Sequence, residues 1–108
     1  MNNDQPYIQH IIGSIEKIEK YAGKLNKEDF LQNSLVQDGI IRQIEIIGEA
    51  AKLISEATKS KNKSIPWKDI AGMRDKLIHA YFGVDLEAVW KTVKEDIPSL
   101  KKEIGRLI

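Results

Sequence analysis

The residues best suited to chemistry lie close together in the second half of this 108-residue sequence: Arg74, Asp75, His79 and Tyr81. An imidazole can donate or accept a proton near neutral pH. A guanidinium presents a planar fork that matches a phosphodiester and can stabilise the extra charge of its transition state. RNA carries its own nucleophile in the 2′-hydroxyl, so the protein needs to supply only proton transfer and charge stabilisation. An imidazole and a guanidinium can therefore cleave RNA without a metal.

The spacing of this cluster predicts a shared helical face. Apolar periodicity after Ile65-Pro66-Trp67 predicts a helix that continues to about Ala80, ending before Gly83. On such a helix Asp75 and His79, four residues apart, could touch. The carboxylate and the negative end of the helix dipole would then favour the imidazolium form of His79, which can act as a general acid.

The same cluster has a plainer interpretation, an ordinary salt-bridged helix end with Tyr81 against the core. His10, near the start of the chain, is predicted to be a surface or half-buried histidine. Glu45 and Glu49 are four apart but lack a third ligand, so they are expected to form salt bridges and no metal site is predicted. One motif histidine per chain is few for a reaction needing an acid and a base, and a symmetric dimer would supply the second.

The elements that must position the cluster are predicted to be helices throughout. Four segments repeat apolar residues every three or four positions, and none alternates as a strand. Gly23 and Asn26 indicate a helix end and the next cap, Asn33 or Ser34 can cap the second long helix, and Asp85 can cap the last. Lys59 to Ser64 is predicted to be a loop, and Pro98 should kink or break the last helix near Ile97. The expected fold is all-α, an antiparallel bundle of four to five helices forming one domain over residues 1–108.

Composition limits the possible partners. The net charge is +1, so RNA would have to be bound through a local patch, for which Lys68 and Lys76 beside the motif are the best candidates. The lysines and arginine of the last helices are expected to be a solvated face, and Trp67 and Trp90 are expected to pack. No cysteine, leader or membrane-length apolar run is visible, so a cytoplasmic protein without membrane or DNA binding is expected.

The pattern Arg74-x4-His79-x-Tyr81 resembles the R-x(4–6)-H-x-Y motif of HepT-like proteins in the HEPN superfamily. Three fixed positions alone would be weak, since they recur by chance. The flanking text extends the resemblance to roughly residues 5 to 108, and Asp75 fits the acidic or amide residue common after the arginine. The resembling flanks are Ile46–Ala51, Ile65–Arg74, Tyr81–Asp85, Val89–Trp90 and Glu95–Pro98.

The resemblance implies a HEPN-like helical fold and a homodimer whose two motifs face a shared cleft. It implies a metal-independent endoribonuclease toxin, requiring no cofactor, with Arg74 and His79 catalytic and Asp75 and Tyr81 supporting. It further implies a nucleotidyltransferase antitoxin that binds the protein and transfers AMP to Tyr81. The alternative is a non-catalytic HEPN subunit that binds the nucleotidyltransferase and only accepts AMP. A third, weaker interpretation is a purely structural bundle.

Overall fold

The computed structural model describes residues 3–79 and 83–107, and of His79 it describes the backbone but not the side chain. The all-α prediction is confirmed, although the short helices divide the chain more finely than the expected four or five. The helices are α1 (Gln5–Ala22), α2 (Lys27–Leu31), α3 (Ser34–Leu53), α4 (Glu56–Lys61), α5 (Trp67–Ala71), α6 (Met73–Leu77), α7 (Leu86–Lys91) and α8 (Ile97–Gly105), with a π-helical turn (Thr92–Asp96) between the last two. Two two-residue strands, β1 (Ile78–His79) and β2 (Gly83–Val84), pair antiparallel.

The predicted helix boundaries around the first three helices are confirmed in atomic detail. Gly23 ends α1 with a φ of 49°, a value that favours glycine. The Asn26 side chain caps α2 by accepting from the Asp29 amide at 2.8 Å, and the Asn33 side chain caps α3 by accepting from the Val36 amide at 3.1 Å. Each cap satisfies a backbone donor that the helix itself leaves without a partner.

The core is aliphatic and centres on the two long helices. Helices α1 and α3 run antiparallel, since Tyr21 near the end of α1 lies against Gly39 early in α3 while Asp4 before α1 bonds to Ser55 beyond α3. The few aromatic residues serve packing, as Phe30 is fully buried and its ring lies 5.2 Å from that of Trp90. The isoleucines on the predicted stripes of both helices are buried: Ile8, Ile11, Ile15, Ile18, Ile40, Ile44 and Ile47.

The chain after Asp85 is one helical path with a local defect beside Pro98. The Asp85 side chain caps α7 by accepting from the Ala88 amide at 3.0 Å, as predicted. Because proline lacks an N–H and its ring crowds the carbonyl four residues earlier, the turn before it widens into the π-helical segment. The predicted interruption near Ile97 is therefore confirmed, and Ile97, Leu100 and Ile104 stay buried on the same core.

The prediction of one helix from Ile65 to about Ala80 is wrong. A break at Gly72 separates α5 from α6, and α6 ends at Leu77, where the chain becomes extended with Ile78 at φ −117° and ψ 118°. The Leu77 carbonyl accepts from the Asp85 amide at 2.8 Å, so a non-local partner occupies the acceptor that a longer helix would need. Likewise, the predicted loop from Lys59 to Ser64 is partly wrong, because α4 extends to Lys61.

Gly48 sets how closely α3 approaches α5. A Cβ built on this residue would lie 3.2 Å from the Ala71 carbonyl oxygen, closer than most Cβ contacts in proteins. The absence of a side chain therefore lets the backbone of α5, and with it α6, lie directly against α3. Among the described residues, no helix combines the length and apolarity needed to cross a membrane.

Asp4 fastens the start of α1 to the start of α4. Its carboxylate accepts hydrogen bonds from the Thr58 hydroxyl, from the Ser55 hydroxyl at 2.7 Å and from the Ser55 amide at 2.9 Å. The bond from Thr58 is the main reason that the pKa of Asp4 lies below its ordinary value of 3.8; partial burial opposes this effect, and the Ser55 bonds add to it.

We expect Asp4→Asn to lower the free energy of unfolding at pH 7 by about 1 kcal/mol, because the amide accepts these bonds less well than the carboxylate. A lowered folded-state pKa stabilises the protein above the unfolded-state value, and this contribution is lost as pH falls through the folded-state value. The difference between variant and wild type, measured by urea unfolding, should therefore shrink at the acid end. Asp38→Asn is the control, since Asp38 is exposed and makes no side-chain hydrogen bond to the described residues. Equal effects of both variants at pH 7 would contradict this role of Asp4.

Candidate functional site

Arg74 lies on α6 with its guanidinium at the protein surface. Its side chain is 46% exposed, so it is accessible to a large ligand. The Nε–H donates to the Glu45 Oε2 at 2.9 Å, and Nη1 lies 3.7 Å from the Asp75 Oδ1. The short bond engages the Nε–H, while the Nη donors make no hydrogen bond to the described residues. Arg74 is thus held in place and still able to bind an anion.

Helix α3 supplies the other wall of this site. Four charged residues separated by three or four positions, Arg42, Glu45, Glu49 and Lys52, lie along one side of α3. With α5 and α6 drawn close at Gly48, these residues and Arg74 border one groove of about 290 Å³. We call this the arginine groove. It is lined by Arg42, Glu45, Gly48, Glu49, Lys52, Ala71, Arg74 and Asp75.

The predicted salt bridges of Glu45 and Glu49 are confirmed, with Arg74 at 2.9 Å and Lys52 at 3.3 Å respectively. Ion pairs exposed to this degree contribute at most about 1 kcal/mol to stability. The Glu45–Arg74 pair is therefore more important for orientation than for stability. Among residues 3–79 and 83–107, no group of three or more His, Cys, Asp or Glu side chains is arranged to hold a metal ion.

The structure changes how the motif histidine is presented. His79 lies on β1, where its backbone pairs with Gly83 of β2, and Gly83 adopts a φ of 79°. Asp75 and His79 therefore do not share a helical face, contrary to the expectation from their spacing. The Asp75 carboxylate lies near Arg74. The side chain of His79 and the whole of Tyr81 lie outside the described residues, so their assigned roles stay predictions.

The two lysines proposed to contact RNA lie apart from the arginine groove. Lys76 pairs with Asp69 at 3.7 Å and faces a second groove, of about 370 Å³, between the α5–α6 segment and α8. Lys68 is exposed on α5 and forms no ion pair with the described residues. Neither lysine therefore lines the groove that contains Arg74.

The remaining candidates fit their structural interpretations. Trp67 is buried and donates from Nε1 to the Asn62 carbonyl at 3.1 Å, and Lys94 lies over the ring of the half-buried Trp90 at 4.7 Å. Lys101 pairs with Glu19 at 3.0 Å and Arg106 with Glu103 at 3.7 Å. Acidic neighbours therefore neutralise part of the charge on Lys101 and Arg106. His10 is exposed, as expected.

Comparison with known proteins gives the family. The model of the ribonuclease HepT-like family matches residues 11–107, nearly the whole chain. The chain belongs to the HepT-like ribonuclease family. A HepT-like relative from Thermococcus cleftensis, named "Probable ribonuclease HepT", is 52% identical over 101 residues, which cover 94% of this chain and 92% of the relative. A second relative, from Caldanaerobacter subterraneus and named a "Putative RNase", is 38% identical over 108 residues, covering 100% of this chain and 96% of the relative. No solved structure matches this chain.

Membership of the HepT-like ribonuclease family gives the arginine groove its context. Arg42 and the bond from Glu45 to Arg74 were not anticipated from the sequence as parts of the site. The available signal was the spacing of charges along α3 together with a glycine in their midst. That signal indicates that another segment packs closely against this face of α3, but it does not identify the segment.

We expect Glu45→Gln to lower kcat/KM for RNA three- to tenfold, because a neutral amide holds the Arg74 guanidinium less firmly, a loss of about 1 kcal/mol. Nitrogen-15 NMR should also show faster solvent exchange of the Arg74 Nε–H. Glu19→Gln is the matched control, since it removes an exposed carboxylate that pairs with Lys101 of α8 and does not line the arginine groove. Unchanged exchange and unchanged kcat/KM in Glu45→Gln would refute a positioning role for Glu45.

Proposed function

We propose that this HepT-like ribonuclease is a metal-independent endoribonuclease toxin that uses Arg74 and His79. The 2′-oxygen of the RNA attacks the adjacent phosphorus and loses its proton to a base. The bond from phosphorus to the 5′-oxygen breaks, and that oxygen receives a proton from an acid. The products are a 2′,3′-cyclic phosphate and a 5′-hydroxyl, so no water or metal is consumed.

The exposed, Glu45-held guanidinium of Arg74 is the observation that supports this proposal most. A phosphodiester gains negative charge on its non-bridging oxygens as it is attacked, and a preorganised cation stabilises that charge without rearranging. Because α6 ends at Leu77, the chain is extended at His79, only five residues beyond Arg74. Arg74 and His79 thus belong to adjoining elements, a short helix and an extended segment.

A homodimer would supply the second proton-transfer group. One motif histidine can serve as acid or as base in a given step, but not as both at once. Two copies facing one cleft would place a second His79 at the same phosphodiester. We therefore propose the dimer as the active species.

We also propose a nucleotidyltransferase antitoxin that binds this protein and transfers AMP to Tyr81. Tyr81 follows His79 by two residues in the motif. A bulky anionic group on this motif residue would repel the phosphates of RNA. The proposed partner would neutralise the toxin by this modification and by binding.

The proposal predicts that purified protein cuts single-stranded RNA in the presence of EDTA and leaves cyclic phosphate ends. His79→Ala and Arg74→Ala should each lose at least about a hundredfold in kcat, from the absence of proton transfer or of charge stabilisation. His10→Ala, which removes the other histidine from an exposed position, should retain wild-type activity. Loss of activity with EDTA, or equal activity of the two histidine variants, would refute the metal-independent mechanism at Arg74 and His79.

The binding-subunit alternative has one observation in its favour. Arg74 is already near two carboxylates in this structure, so part of its charge is neutralised before any RNA arrives. A non-catalytic subunit would leave RNA intact with EDTA and without it. Both functions predict that the protein, incubated with the nucleotidyltransferase and ATP, gains AMP on Tyr81. The Tyr81→Phe variant should gain none, and the control variant Tyr21→Phe should still be modified. RNA cleavage is therefore the assay that separates the two.

A further inference from the structure

We propose that Arg42 is a second phosphate-binding residue of this site and holds a phosphate next to the one being cleaved. This inference rests on the proposed cleavage of RNA at Arg74. Arg42 is exposed on α3 and lines the arginine groove together with Arg74. It makes the site a binder of consecutive phosphates on one strand rather than of a single phosphodiester.

The ion pairs within the groove single out Arg42. The groove is lined by three cationic and three anionic side chains. Lys52 is paired with Glu49, and Arg74 contacts both Glu45 and Asp75. Among the described residues Arg42 has no carboxylate within ion-pair distance, so its guanidinium can bind an added anion without first leaving a partner. An exposed arginine of this kind, facing the same groove as the candidate catalytic arginine, favours a phosphate ligand.

The position of Arg42 follows from rigid structure. It lies three residues before Glu45 on the 20-residue helix α3, so the two side chains are neighbours about one turn apart. Glu45 in turn holds Arg74 at 2.9 Å. A strand whose scissile phosphate lies at Arg74 can therefore continue along α3 and present its neighbouring phosphate to Arg42. The substrate class is then single-stranded RNA with at least two phosphates in register.

Substrate length separates this contact from general damage to the site. Arg42→Ala should reduce kcat/KM about tenfold for a single-stranded hexanucleotide, mainly through KM, because one charge-assisted contact is lost. For a dinucleoside monophosphate, which has only the scissile phosphate, the same variant should match wild type. The slope of the logarithm of the hexanucleotide binding constant against the logarithm of salt concentration should become less steep by about 0.7. Arg42→Lys should recover part of the loss, because it keeps the charge but not the planar fork.

Lys102→Ala is the matched control for charge. Lys102 is exposed on α8 and forms no ion pair with the described residues. Equal effects of Lys102→Ala and Arg42→Ala on the hexanucleotide would show that net charge attracts RNA, and would overturn a specific contact. A tenfold loss on the dinucleoside substrate would also overturn it, since Arg42 would then serve the scissile phosphate or the fold. If wild type neither binds nor cuts RNA, the proposed function fails and this inference fails with it. If wild type cuts the hexanucleotide and Arg42→Ala cuts it equally well, this inference alone fails.

Discussion

The bond between Glu45 and Arg74 is the interaction on which the site depends. It joins residues 29 positions apart in the sequence, on α3 and α6. Gly48 favours it by letting α5 lie close against α3, which brings the short α6 beside the charged residues of that helix. The ion pair adds little to stability at this exposure. In the proposed mechanism, the bond orients an exposed guanidinium so that it can stabilise the charge of the transition state.

The helical fold could be predicted from the sequence because its determinants are local. The period of apolar residues located the faces of α1 and α3, and the caps Asn26, Asn33 and Asp85 marked helix beginnings through bonds that span only three residues. Pro98 marked a defect for an equally local reason. The motif arginine was also predicted as a site residue, and the structure finds it exposed at a groove, although its catalytic role stays a prediction.

The parts that could not be predicted depend on contacts between distant segments. The residues around Leu77 do not indicate that α6 should end there. The Leu77 carbonyl accepts a hydrogen bond from the Asp85 amide, which follows both short strands in the sequence. The consequence was an incorrect helical face for Asp75 and His79. Glu45 was correctly expected to form a salt bridge, but its partner was not identifiable, because charge spacing on one helix does not specify the element that packs against it. Arg42 was overlooked for the same reason.

The coupling energy between Glu45 and Arg74 in catalysis tests the central claim most directly. A double-mutant cycle on kcat/KM for RNA would compare Glu45→Gln, Arg74→Lys and the double variant, with all three confirmed as folded by circular dichroism. If Glu45 acts through Arg74, removing Glu45 should cost little once Arg74 is replaced, so the double variant should be about as slow as Arg74→Lys alone. Losses that simply multiply would contradict the account, because Glu45 and Arg74 would then contribute independently.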